Sequence, residues 1–238
     1  MSLKKDDPGK TNPKDLTHKA YQAIRQMLFY NEIMPGQKIK YKDLAARVGV
    51  SMTPVIQALK WLEFRNIVRH EPNKGYYVNE VSLKEIREVY DTRLLIEVAL
   101  VPETMRRLDE SGLENIRAAH AAYKAAVAQD KYHKRIMMDM EFHMSLAALA
   151  DCHIQLKMLY ELFDVLLLRY SRNLFFISVM DSSLQEHIDI LNCLEAGDEN
   201  GLSQALSHHI TVVRDHILKG MARIMVDDRE SLSDRYMF

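Results

Sequence analysis

Residues 41–78, YKDLAARVGVSMTPVIQALKWLEFRNIVRHEPNKGYYV, constrain the fold more than any other stretch of the chain. Leu44, Ala45 and Val48 fall on one face of a short helix, and Gly49 supplies a tight turn after it. Thr53 is placed to cap the next helix. Pro54 suits that helix's first turn, where a missing N–H costs nothing. Val55, Ala58, Leu59 and Leu62 recur at helical spacing and predict its buried stripe. Two short apolar runs follow, Ile67–His70 and Tyr76–Val78, joined by Pro72–Gly75, and Asn-Lys-Gly between β-prone runs signals a hairpin. Helix, turn, helix and hairpin in this order make a winged helix-turn-helix, a unit whose second helix enters the major groove of DNA.

The rest of the chain follows a different pattern. Residues 1–14 are polar, with two prolines and a glycine, and read as a disordered leader. Leu16, Ala20, Ile24, Met27 and Leu28 predict a helix over 16–31 that belongs with the winged unit, giving a first domain of 15–79. Asn79–Ser82 reads as the linker, with Ser82 as cap of a helix beginning near Leu83. From there to about Met225 no strand is predicted. Helices are expected near 83–109, 112–129, 131–150, 153–177, 181–195 and 199–224, with breaks at Ser111-Gly112, Asp151 and Gly197-Asp198. Pro102 predicts a kink or a split in the first of them. The expected fold is therefore mainly α, with an antiparallel all-α bundle over 80–225 and a charged tail over 226–238. Ligand sites in such bundles form between helices.

Composition agrees with a folded, helix-rich chain: 47% of its 238 residues are hydrophobic, with only 8 Gly and 6 Pro. No apolar run approaches the length of a membrane span and no signal peptide opens the chain, so a cytoplasmic protein without membrane contact is expected. Cys152 and Cys193 are isolated, read as buried small hydrophobes, and give no disulfide framework. The net charge of −1 hides an asymmetry. Residues 1–80 hold 14 Lys+Arg against 8 Asp+Glu, while residues 81–238 hold 18 against 25. A basic small domain joined to an acidic larger one suits a nucleic-acid reader with a separate sensor.

Asp139 and His143 are four residues apart on one predicted helix and point the same way. Ile136, Met140, Leu146 and Ala147 place them on or beside its apolar stripe. His187 shares a side with Leu184, Ile188, Leu191 and Leu194. His209 sits among Leu202, Ala205, Leu206, Val213 and Ile217, whereas His208 falls on the solvent face. His187 lies 11 residues before Asp198 and His209 lies 11 after it, so an antiparallel hairpin sets them opposite each other. One carboxylate and up to three imidazoles then converge. Each histidine alone also fits a hydrogen-bonded core residue. Together the four fit a divalent metal ion (Zn, Ni, Fe or Mn), between which the ligands do not choose.

These motifs resemble a GntR-family transcription regulator with an FCD (FadR C-terminal) ligand-binding domain. Over 16–80 the Pro-Gly turn, LAARVGVS, TPV-x-x-AL and the NKG wing are in register with the family's winged helix. Over about 83–222 DMEFH, EH-x-x-I at 186–190, GD at 197–198 and HHI at 208–210 are similar to the FCD metal motif. The short second half is closer to the six-helix VanR-type group. The resemblance implies a homodimeric repressor or activator on a double-stranded DNA operator. It also implies a small carboxylate effector, often held at the metal, that shifts the spacing of the two DNA heads. By position the ligands are Asp139, His143, His187 and His209. Arg93, in VYDTRLLIEVAL, matches a family arginine available to an effector carboxylate, for which a guanidinium fork is suited. The other reading of Arg93 is a surface pair with Glu97, worth ~0.3–0.5 kcal/mol.

The family's recognition helix reads S-R-T-P-V-R-E-A-L. Here it reads Ser51-Met52-Thr53-Pro54-Val55-Ile56-Gln57-Ala58-Leu59, without either arginine. Met52 and Ile56 are expected to meet thymine methyls, as apolar groups can. Positive charge then comes from Lys42, Arg47, Lys60 and Lys74, with Ser51, Thr53 and the wing's Gly75 completing the expected DNA contacts. The family's Gly-Asn near residue 153 is also absent, and His153 reads as a helix-start residue or an added polar group. Three other functions remain to be weighed. A metalloenzyme using the same ligands would need a nearby base, for which Glu141 is on the wrong face. A direct metal sensor needs no organic ligand, and a protein-interaction module would have lost its DNA readout.

Overall fold

The computed structural model describes residues 13–170 and 182–235, with side chains over 14–170 and 182–223. The chain divides into two compact units, Met1–Glu80 and Val81–Phe238. The expected leader lies almost entirely outside the described residues.

The first unit packs three helices against a small sheet. Helix α1 (Pro13–Phe29) buries Ala20, Ile24, Met27 and Leu28 and lies on α3 (Met52–Phe64). Helix α2 (Tyr41–Val48) buries Leu44 and Ala45 and leaves Val48 half-buried. Gly49 ends α2 with a left-handed backbone (φ 71°), and its N–H donates to Ala45 O at 3.0 Å. Only a residue without Cβ takes that conformation at no steric cost. Val55, Ala58, Leu59 and Leu62 of α3 are fully buried, as their spacing predicts. Thr53 is not the cap expected from the sequence. Helix α3 already begins at Met52, Ser51 takes the N-cap position, and its side chain makes no capping bond. Strands β2 (Val68–Glu71) and β3 (Gly75–Val78) form the wing, with Arg69 opposite Tyr77. A third strand, β1 (Lys38–Ile39), pairs antiparallel with β3 and gives the order β1-β3-β2. At two residues it is too short to show an alternating pattern in sequence.

The second unit has six helices among the described residues: α4 (Leu83–Arg107), α5 (Glu110–Ala128), α6 (Tyr132–Ala148), α7 (His153–Arg169), α8 (Ser182–Ala196) and α9 (Glu199–Arg235). Ser82 Oγ accepts from the Glu85 N–H at 3.3 Å, the cap expected for α4. Pro102 does not split α4. It is exposed and lies in the last third of a helix that continues to Arg107. Nor does Gly112 break the chain. Asp109 ends the gap and its carboxylate accepts from the Gly112 N–H at 2.7 Å. Gly112 itself is buried inside α5, where a Cβ would lie 2.7 Å from Leu149 Cδ2, so its role is close approach. Asp151 and Gly197, both at positive φ, do mark breaks. Helix α7 ends at Arg169, and the expected continuation to 177 lies outside the described residues. Helix α9 runs on to Arg235, past the expected end near 224 and through most of the expected tail, a stretch with no Gly or Pro to stop it. Cys152 and Cys193 are free, and half-buried rather than buried.

Helix α4 packs on α6, α7 and α9; α5 packs on α6 and α8; α8 packs on α9. Two apolar clusters fill the unit. One gathers Ile86, Tyr90, Leu100, Phe163, Leu166, Tyr170 and Ile217, and the other Val101, Ile116, Phe142, Ile190, Leu202 and Leu206. Among the described residues no helix is long and apolar enough to cross a membrane.

Replacing Gly49 by Ala forces a Cβ into the left-handed region. It is expected to destabilise the first unit by ~1–2 kcal/mol. Trp61, the single tryptophan, lies on α3 and reports that unit's urea unfolding by fluorescence. An unchanged midpoint would show that the turn tolerates a side chain.

Candidate metal centre and nucleic-acid interface

Three helices deliver one cluster. Asp139 and His143 lie one turn apart on α6, His187 comes from α8, and His209 from α9. One ligand atom from each lies within 4.8 Å of all the others. His143 Nε2 is 3.1 Å from His209 Nε2, and His187 Nε2 is 3.3 Å from both His209 Nε2 and Asp139 Oδ1. The three histidines are buried and Asp139 is partly buried. His187 and His209 face each other across the α8–α9 hairpin, as their equal distance from the turn predicts.

The far nitrogens explain the arrangement. His143 Nδ1 donates to Glu97 Oε2 at 2.7 Å, and His209 Nδ1 donates to Glu186 Oε2 at 2.7 Å. A proton held on Nδ1 leaves a lone pair on Nε2 of a neutral imidazole. With the protons on Nδ1 the two Nε2 atoms meet at 3.1 Å as acceptors, an approach that a bound cation relieves. Bonds of ~2.1 Å give ligand–ligand edges of about 3.0 Å in an octahedron and 3.4 Å in a tetrahedron, and the close spacings fall in this range. The donor set fits a first-row divalent cation. Imidazoles oriented by carboxylates on the opposite ring nitrogen are the usual supporting shell of such a site.

Electrostatics favour the ligand-competent forms. Burial pushes His187 down to about 4, against the opposing pull of its hydrogen bond to Asp139. Burial lowers His209 as well, with Glu186 opposing. Burial alone would raise Asp139, but the hydrogen bond from His187 holds its carboxyl well below the usual range. Burial likewise acts against Glu97, but the Arg93 guanidinium and the His143 ring outweigh it and hold the carboxyl at about 2. His187 is stacked on Phe142 (4.3 Å, 22°) and flanked by Tyr123 at 4.6 Å. Its Nδ1 has no hydrogen-bond partner among the described residues.

Arg93 is not at the surface, and the surface-pair reading is corrected. It is 3% exposed, and its Nε donates to Glu97 Oε1 at 2.9 Å. Its guanidinium lies over the rings of Phe163 (4.4 Å) and Tyr90 (5.1 Å). Glu97 therefore holds Arg93 with one oxygen and His143 with the other. Glu97 and Glu186 are not among the site residues expected from the sequence, although Glu97 falls one turn after Arg93 and Glu186 precedes His187 directly. His208 is exposed, and His153, at the start of α7, is exposed and paired with Asp151 at 3.6 Å. Glu141 is exposed, away from the cluster's buried face.

On the first unit, Lys42, Ser51, Met52, Thr53 and Lys60 are exposed, and Ile56 is half-buried. Arg47 is exposed but forms an ion pair with Glu32, and Lys74 pairs with Glu71 at 3.2 Å. Gly75 opens β3 at φ 100°, with Tyr41 Cε1 3.7 Å from where a Cβ would stand. The exposed side of α3 also carries Trp61 and Phe64, the latter 91% exposed, which the sequence did not single out.

Removing one member of a buried pair leaves the other charge without compensation. Glu97→Ala strands the Arg93 guanidinium and is expected to lower stability by ~3–5 kcal/mol. Thermal unfolding of the metal-free protein, followed by circular dichroism, measures this. A loss below ~1 kcal/mol, the level of an exposed pair, would contradict the buried role.

Residues 88–212 match the FCD domain, and residues 16–78 match the bacterial regulatory proteins of the gntR family. The HTH-type transcriptional repressor RspR of Escherichia coli K12 is 24% identical over 198 residues, covering 83% of this chain and 86% of that protein. Among solved structures, E. coli McbR/YncC superposes with a TM-score of 0.73 at 20% identity, covering 86% of this chain and 97% of that one. A GntR regulator from Rhodococcus sp. RHA1 gives 0.71 at 22% identity, with 86% and 98% covered. The fold and the relatives are those of transcriptional regulators, not enzymes. The chain belongs to the FCD-domain group of GntR-family regulators: a DNA-binding transcriptional regulator with a winged helix-turn-helix and a helical FCD domain.

Proposed function

We propose that this regulator is controlled through a divalent metal ion in the helical unit, with a small carboxylate effector bound at or near that metal. Asp139, His143, His187 and His209 would hold the ion. The observation that carries the reading is the 3.1 Å approach of His143 Nε2 to His209 Nε2, each ring held by a carboxylate at its Nδ1. The bound metal supplies a Lewis-acidic position for a carboxylate oxygen, and zinc, nickel, iron and manganese all suit the donors. Arg93 reaches an effector carboxylate only in competition with Glu97, so its first task is to hold Glu97 in place. The protein acts in the cytoplasm as a homodimer, two heads reading two half-sites of a double-stranded operator. Lys42, Arg47, Lys60 and Lys74 meet phosphates, Ser51, Thr53 and Gly75 approach the backbone, and Met52 and Ile56 read thymine methyls.

Titration of metal-stripped protein with zinc is expected to show one ion per chain. Saturation to 100 times Kd should stabilise the fold by ~2.7 kcal/mol. His187→Ala should weaken binding by more than the ~10–100-fold typical of losing an outer-shell partner. Equal affinity in the variant would refute the assignment. In a thermal-shift screen of small carboxylates, a compound that stabilises metal-loaded wild type and His187→Ala equally would sink the metal-anchored effector. DNA affinity that tracks zinc with no carboxylate present would instead identify direct metal sensing.

The head lacks two cationic contacts that its family carries, so operator binding should have a shallow salt dependence. Introducing Met52→Arg and Ile56→Arg together is expected to steepen the slope of log K against log salt by up to ~2. An unchanged slope would show that neither position faces a phosphate.

A further inference from the structure

Helix α7 touches α4 at two places. Near its middle, Phe163 lies over the Arg93 guanidinium at 4.4 Å, and Arg93 holds Glu97, which holds His143. At its end, Arg169 and Tyr170 grip the first turn of α4. Arg169 Nη1 donates to Glu85 Oε1 at 2.6 Å, and the Tyr170 hydroxyl donates to Glu85 Oε2 at 2.8 Å. The Ser82 N–H donates to the Tyr170 hydroxyl oxygen at 3.1 Å, and Ser82 O lies 3.2 Å from the same oxygen. Tyr170 is fully buried and Arg169 is 4% exposed. Numbers rise along α7 as they fall along α4, so the two helices run antiparallel between these points. The points are seven residues apart on α7, about 10 Å of helix.

The start of α4 is held by more than its cap. The Ser82 side chain already caps α4 through the Glu85 N–H. The added ion pair and buried hydroxyl fix the residue pair that follows the boundary at Glu80/Val81, where the DNA-binding unit ends. A charge-assisted bond of this kind is about twice as strong as a neutral one, and it is short-ranged and directional. A displacement of Phe163 by a small distance therefore reaches Arg169 and Tyr170 through a continuous helix. It alters bonds whose strength depends steeply on geometry.

We propose that Arg169 and Tyr170 form a latch on Ser82 and Glu85 that couples occupancy of the Asp139–His143–His187–His209 cage to the order of the first turn of α4, through His143, Glu97, Arg93 and Phe163. The proposal rests on the metal-centre reading above and adds to it the route by which that centre reaches the DNA-binding unit's exit. Tyr170 and Arg169 are positioning residues here, since neither touches the cage.

Hydrogen exchange of residues 82–90 in the full-length protein, with and without zinc, tests this. In the wild type, zinc is expected to slow exchange there at least tenfold. Tyr170→Phe keeps the ring in the core and removes the hydroxyl. It should bind zinc with a Kd within twofold of wild type, yet show less than a twofold effect of zinc on exchange at 82–90. Glu85→Gln, a surface-side change of the same latch, should behave alike and serves if Tyr170→Phe folds poorly. A merely structural clamp would raise exchange in both variants and leave the zinc effect intact, which overturns the coupling. Zinc that binds the wild type without slowing exchange at 82–90 also overturns it while leaving the metal centre standing. Failure of zinc to bind at all overturns the metal centre itself and the coupling with it.

Discussion

His143 and His209 turn their Nε2 atoms toward each other at 3.1 Å, an approach that apolar packing alone does not ask for. His143 and His209 are held that way from behind, by Glu97 and Glu186, so the arrangement is imposed rather than accidental. Much of the helical unit is organised by this constraint. Glu97 requires Arg93, because a buried carboxylate needs a partner. Arg93 requires the faces of Phe163 and Tyr90, which anchor α7 and the first half of α4. Glu186 and His187 are neighbours on α8 and act on opposite sides of the cluster, one behind His209 and one within it. Helices α4, α6, α8 and α9 therefore have their rotations set by polar groups whose misplacement costs several kcal/mol. The apolar clusters on either side tolerate more variation.

The elements that sequence made legible are those with a long or spatially local signal. The stripe Val55, Ala58, Leu59, Leu62 places α3, and the helical spacing of Asp139 and His143 places them on one face. The symmetry of His187 and His209 about Gly197-Asp198 gives a contact between helices, because a hairpin converts sequence distance into height. What escaped was of two kinds. Strand β1 has two residues and no periodicity, and exists because β3 offers an edge to pair with. Glu97 and Glu186 were visible as letters but not as partners. Nothing in the sequence says that α4 packs against α6, so the bond from Glu97 to His143, 46 residues apart, could not be written down. Arg93 shows the same limit in reverse. Its i,i+4 neighbour was identified, but burial, which changes the pair from a minor surface interaction to a fixed internal one, is a tertiary property. The absence of a break at Gly112 and of a split at Pro102 has a related reason. Each residue's general habit, to break a helix, lost to its local setting, a close approach to Leu149 in one case and an exposed late position in the other.

The DNA-binding unit is ordinary in framework and unusual in surface. Its core, from Ile24 through Leu62 to Val78, is what the helix, turn, helix and wing pattern demands. Its exposed recognition helix begins with Met52 and ends with Trp61 and Phe64, so that side of α3 is more apolar than its neighbours α1 and α2. The framework and the readout are thus separable, and membership in a family fixes the first without fixing the second.

Two of the ion pairs on that unit, Arg47 with Glu32 and Lys74 with Glu71, bear on the proposed phosphate contacts of these cations. A cation already tethered to a carboxylate must release it before it can meet a phosphate. Each exposed pair is worth up to about 1 kcal/mol, so each tether can weaken attachment to an arbitrary stretch of DNA by up to about fivefold. On the proposed contacts, the release would be offset at an operator by contacts that only the right sequence provides, and elsewhere it would not. Tethered cations of this kind would shorten the time the head rests on the wrong DNA.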